Sequence, residues 1–130
     1  MLKKRILLSF TLLLCLLNVV CANSEEINTA SLDRLLKQKW EGMKWALKHK
    51  DIEAALKYFI ESAKPKHRQM FEALKEQLPT MMDTFVEFNI TDIWENTAEC
   101  EVVTKENGTL YSHPVSFVKD VDGVWKFRAF

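Results

Sequence analysis

Hydrophobic positions change their period midway along this chain. Leu32, Leu35, Leu36, Trp40, Met43, Ala46 and Leu47 recur at intervals of three and four. They fall within about 140° of one another at roughly 100° per residue, which predicts an amphipathic helix starting at Ser31. Asp33, Lys37, Glu41 and Lys48 take the opposite side. Trp45 lies off the stripe and is expected to cover a neighbouring element or the signal-proximal arm, or else to meet a partner. Asp51 is a suitable N-cap for a second helix, Ile52 to Glu61, with Ala55, Leu56 and Phe59 inward and Tyr58 close to that face. Pro65 ends that run and can open a third helix. The third stripe is His67, Met70, Phe71, Leu74 and Leu78, closed by Pro79.

From Phe85 onward the period is two, the signature of strands with one buried face. Val86, Phe88 and Ile90 alternate with Glu87, Asn89 and Thr91, and Ala98, Cys100 and Val102 alternate with Glu99 and Glu101. Asn107-Gly108 is a strong two-residue hairpin signal. It places Ala98 opposite Phe117, Cys100 opposite Val115 and Val102 opposite His113, with the apolar partners on one face. In the last hairpin a two-residue Asp122-Gly123 turn would mix core and solvent positions. A three-residue loop, Val121-Asp122-Gly123, pairs Phe117 with Phe127, Lys119 with Trp125 and Val115 with Ala129, and puts Gly123 where a left-handed residue is wanted. Helices followed by a four-strand antiparallel meander with one apolar face predict an α+β domain, since that face must be covered.

Composition adds a compartment. Lys3, Lys4 and Arg5 precede an apolar run from Ile6 to Val20, then Val20-Cys21-Ala22 and a polar stretch. That order matches a secretory signal peptide, with cleavage expected between Ala22 and Asn23. The run is shorter than the roughly 20 apolar residues a membrane span needs, and Asn18 interrupts it. The expected organisation is a signal peptide over 1–22, a flexible lead over 23–30 and a single domain over 31–130, exported to the periplasm or the cell exterior. The alternatives are anchoring by the uncleaved segment, which would be the chain's membrane contact, or lipidation at Cys21.

Cleavage would remove three of the 18 basic residues and none of the 18 acidic ones, leaving a formal charge of −3. A nucleic-acid binder normally shows a clustered basic excess, so that class is not expected. Cys15 and Cys21 would leave with the signal, and Cys100 alone cannot form an internal disulfide, so packing must hold the domain together.

Trp40 to Phe59, WEGMKWALKHKDIEAALKYF, with its helix–Asp–helix break, resembles the opening of small secreted domains of the nuclear transport factor 2-like superfamily. Pro114 to Phe130, PVSFVKDVDGVWKFRAF, is similar to that superfamily's final hairpin: an apolar strand, an Asp-Gly turn, then Trp-Lys and an apolar residue. The resemblance implies three N-terminal helices packed on a curved four-strand meander, a cone-shaped, half-open barrel with a pocket at its wide end. Residues expected to line that interior are Tyr58, Phe88, Ile90, Cys100 and Val102 from the first part of the chain. Tyr111, His113, Val115, Phe117 and Trp125 complete the set. The superfamily holds ketosteroid isomerases and polyketide cyclases as well as non-catalytic binding and assembly domains, and it commonly dimerises through the sheet.

Two function classes follow. The first is a non-enzymatic exported domain that holds a small apolar ligand or a protein partner. The second is a small lyase or isomerase with an inward base, for which His113 and Asp92 are the candidates; proton abstraction also needs a group to stabilise the oxyanion. The inward positions are mostly Val, Phe, Ile, Ala and Trp, which favours the first. His49, His67 and His113 show no metal-ligand spacing, there is no Gly-rich phosphate loop, and no cofactor is expected.

Overall fold

The structure is a computed structural model that describes residues 29–130. The expected signal segment, its Ala22–Asn23 junction and Cys21 lie outside the described residues. Leu36–Phe130 form one compact unit. Of the other unit, Met1–Leu35, only residues 29–35 are described, as helical positions.

Helix α1 covers residues 29–48. In its compact-unit portion Leu36, Trp40, Met43, Ala46 and Leu47 are all buried, as the three-four spacing predicts. Trp45 is 62% exposed and stacks on His49, with ring centroids 4.0 Å apart.

Asp51 caps the second helix as expected, its Oδ1 accepting from the Ala54 amide at 3.1 Å. That helix, α2 (Ile52–Leu56), is half the predicted length. Tertiary pairing stops it. Phe127 donates its amide to the Tyr58 carbonyl at 2.8 Å and accepts from the Ile60 amide at 3.0 Å, so Phe59 sits beside Phe127 as an added strand position. A 3-10 turn, Glu61–Ala63, leads into α3 (Lys64–Ala73), with Pro65 in its first turn.

The third predicted helix divides. α3 ends at Ala73, and a separate short helix, α4 (Leu78–Met82), carries Pro79 in its first turn. A continuous helix would drive the Pro79 ring into the Lys75 carbonyl four residues earlier, while the first turn of a new helix tolerates Pro. Pro79 therefore opens a helix instead of closing one. Lys48 pairs with Asp83 at 2.6 Å and Lys50 with Glu76 at 2.8 Å, placing the end of α1 beside the α3–α4 corner. Arg68 grips Glu53 through two hydrogen bonds, linking α3 to α2.

The sheet is a meander, β1 (Phe85–Trp94), β2 (Thr97–Glu106), β3 (Thr109–Lys119) and β4 (Trp125–Ala129), in the order β1-β2-β3-β4 and not closed. Asn107 and Gly108 have φ values of 50° and 79°, the two left-handed residues of a type I′ turn. The β2–β3 register is the expected one, with Ala98, Cys100 and Val102 facing Phe117, Val115 and His113. The last hairpin also pairs Phe117 with Phe127 and Lys119 with Trp125, across a loop in which Gly123 has φ 79°.

Three bulges depart from simple alternation. One at Val86 leaves that residue 52% exposed and gives its inward place to Phe85. A second, at Thr91, turns Asp92 to the face of Glu99, away from Ala98 and Cys100. The third sets Ala129 opposite Ser116 instead of Val115, with Arg128 as the extra residue. A bulge adds one residue to one strand and so reverses the parity beyond it. Ala129 accordingly lies on the outer face. Phe130 takes an inner place, its ring 5.4 Å from Trp40 and 6.1 Å from Phe85.

Trp40 is the hub of the core. It meets Phe85, Phe88, Phe127 and Phe130, with centroids 5.1–6.3 Å apart. Edge-on and offset contacts of this kind add about 0.5–1.5 kcal/mol each beyond burial. Phe117 and Phe127, 4.2 Å apart, extend the cluster along the sheet. Cys100 is buried, paired with Ile90 and Val115 on the neighbouring strands.

Candidate functional site

The break between α3 and α4 opens a cavity of about 330 Å³ against the end of the sheet, within the size range of small-molecule sites. Met70, Phe71 and Leu74 reach it from α3, and Leu78, Thr80, Met81 and Met82 from α4. Thr84 and Phe85 enter from the start of β1, Thr104 and Glu106 from β2, His113 from β3, and Phe130 from beyond the last bulge.

Burial divides this lining into floor and rim. Phe71 and Leu78 are 1% exposed and Met82 is 3% exposed, so the floor is apolar. Thr80, Met81, Glu106 and His113 are solvent-exposed and form the rim. Methionine side chains are flexible and polarizable, which suits a wall that must adapt to what it holds.

Polar contacts are built into the wall. Thr104 Oγ1 and His113 Nε2 lie 3.0 Å apart. Thr104 is buried, 3% exposed, so its hydroxyl needs a partner inside the protein, and His113 supplies it. Phe85 rests edge-on against the same imidazole at 6.4 Å. The Thr84 hydroxyl donates to the Met81 carbonyl at 2.7 Å, which fixes the corner between α4 and β1.

Of the residues expected to line an interior, His113 lines this cavity. Phe88, Cys100, Val102, Val115, Phe117 and Trp125 are buried in the packed core. Ile90 is half-buried on β1 opposite Cys100. Tyr111 shares the inner parity of His113 but is 48% exposed, and Tyr58 packs against Gly42 on α1. Asp92 stands on the outer side of the sheet, and its Oδ1 accepts from the following amide of Ile93 at 2.9 Å.

Thr104 and Glu106 were legible. They continue the even-numbered parity of Ala98, Cys100 and Val102 to the end of β2, which marks them as inward. Phe130 was hidden by the bulge before it, and the α4 residues by the helix break. His67, on the predicted stripe of α3, is buried at 4% exposure. Its Nδ1 lies 2.7 Å from the Ala63 carbonyl and its ring against Phe59 at 4.4 Å, so it serves packing.

Among the described residues no group of three or more His, Cys, Asp or Glu could hold a metal ion. Nor is any described helix long and apolar enough to cross a membrane. No protein-family model matches the chain, and no curated protein is significantly similar to it.

Proposed function

We propose that this protein is an exported, non-enzymatic binding domain that holds a small, largely apolar ligand between α3, α4 and the end of the sheet. The observation that carries the reading is the division of the 330 Å³ cavity into a buried apolar floor and a polar rim. Burial of an apolar body against Phe71, Leu78 and Met82 would supply affinity, and the rim would orient a polar end. The opening helices and the final hairpin support assigning the domain to the nuclear transport factor 2-like architecture, under which the sheet would curve about α1 as a half-open cone. Export follows from the signal-like segment 1–22 and is tested by N-terminal sequencing of the secreted form, which should begin at Asn23.

The binding test is a thermal-shift screen against small lipophilic metabolites. A ligand that binds only the folded state raises stability by about 2.7 kcal/mol at a hundred times its Kd, a readily measured rise in Tm. Leu74→Trp, which projects bulk into the cavity, should remove that response. A panel with no saturable response, or a response indifferent to Leu74→Trp, would refute binding in this cavity and turn attention to a protein partner.

The second reading, a lyase or isomerase, is favoured by one observation: His113 is set in the cavity wall by Thr104 at 3.0 Å. A general base contributes about 10²–10⁴-fold. Under this reading His113→Ala should abolish turnover of a carbonyl substrate while leaving its binding largely intact. Binding without turnover in the unaltered protein returns the assignment to the first reading.

A further inference from the structure

We propose that the cavity selects a primary alkylamine, an apolar tail ending in an ammonium group, over the matching carboxylate. This inference rests on the ligand-holding reading above and adds the class of ligand.

Among the described residues of the cavity lining, Glu106 is the only Asp, Glu, Lys or Arg. Its carboxylate makes no hydrogen bond or ion pair among the described residues, whereas Glu41, Glu53, Glu76 and Glu99 each hold a Lys or Arg. An ammonium entering the rim would be the first cation this carboxylate meets.

Two threonine hydroxyls of the lining can serve the same head. The Thr84 hydroxyl spends its proton on the Met81 carbonyl, so its oxygen is left to accept, and the Thr80 hydroxyl oxygen can accept as well. An ammonium brings three donors and no acceptor, which complements a carboxylate and hydroxyl oxygens. A ligand carboxylate brings acceptors alone and would stand beside the like charge of Glu106. Size follows from the cavity: 330 Å³ holds about eleven groups of water size at roughly 30 Å³ each, enough for an eight-carbon chain and its head.

The experiment is isothermal titration of the purified chain with octylamine, octan-1-ol and octanoate at pH 8 and low salt, repeated with Glu106→Gln. Each affinity is read as a ratio to octanol in the same variant. Octylamine should bind about two- to fivefold more tightly than octanoate, the scale of one charge pair at an exposed site. Glu106→Gln should remove most of that ratio, and raised salt should weaken it. If octanoate binds as tightly as octylamine, or if Glu106→Gln leaves the ratio unchanged, the head-group inference is overturned while the ligand-holding reading stands. If none of the three binds, that reading fails and the inference with it. Matched unfolding curves for the two proteins confirm that the variant is folded.

Discussion

Tyr58 lays the end of its ring on Gly42 of α1 so closely that a β-carbon on residue 42 would stand 2.8 Å from the tyrosine Cζ. Glycine in a helix costs about 1 kcal/mol relative to alanine, so the contact explains why an unfavourable residue interrupts α1. Gly42→Ala should therefore destabilise the protein by up to about 2 kcal/mol, the overpacking cost of about 1–3 kcal/mol less the gain of about 1 kcal/mol in helix propensity. In a Tyr58→Ala background the same change should stabilise by about 1 kcal/mol. Urea denaturation of the four proteins reads the reversal of sign as a coupling energy. Simple additivity would show that the close approach relaxes without cost.

Phe130 ties the cavity to the core, its ring lying 5.4 Å from Trp40 and 6.5 Å from Phe71. Phe130→Ala should cost roughly 1–3 kcal/mol, below the 3–5 usual for a fully buried Phe, because this ring is only partly buried. The same change enlarges the cavity, so affinity should shift toward longer ligands. A stability loss with no change in ligand-length preference would place Phe130 in the core alone.

The Asn107-Gly108 turn gives a purely conformational prediction. A β-carbon on Gly108 would meet nothing within 4 Å, yet φ is +79°. Gly108→Ala should therefore destabilise by about 1–2 kcal/mol through the left-handed backbone alone. The denaturation midpoint should fall with an unchanged m value. A neutral result would mean that the turn rearranges.

The final loop predicts an acid sensitivity. Lys126 bonds Asp120 at 3.0 Å and Asp122 at 2.8 Å. Hydrogen bonds from Lys126, then from backbone amides, hold both carboxyls below their ordinary 3.8. A carboxyl with a depressed folded-state pKa contributes stability that is complete above its ordinary value and is lost as pH falls through the folded value. The unaltered protein should thus lose stability from this source below about pH 4. Lys126→Gln should flatten that part of the acid limb. Chemical denaturation at intervals between pH 5 and pH 2 compares the slopes, and identical acid limbs would show that the exposed pairs are fully screened.

How far the site could be read from residues depends on which rule governed each position. His113, Thr104 and Glu106 share a face because the Asn107-Gly108 turn sets the β2–β3 register, and a short local signal determines that whole array. Met81, Met82 and Thr80 reach the cavity only because α3 stops at Ala73 and α4 restarts at Leu78. Two proline rules compete there: one ends a helix before Pro79, the other starts one at it. Spacing alone favours the first, and the structure uses the second.

By itself the sequence determined the α1 stripe, the order of helices before strands, and the last two of the three hairpin loops. It also determined the pairing of Ala98, Cys100 and Val102 with Phe117, Val115 and His113. These depend on periods of 3.6 and two and on glycines at positive φ, all properties of neighbouring residues. Only the tertiary structure decided the bulges at Val86, Thr91 and Arg128, the early end of α2 where Phe127 captures its backbone, and the cavity. Each depends on pairing or packing between residues far apart along the chain. A one-residue insertion in a strand leaves no local mark, yet it exchanges the faces of every residue beyond it. That exchange turned Asp92 and Ala129 outward and brought Phe130 in.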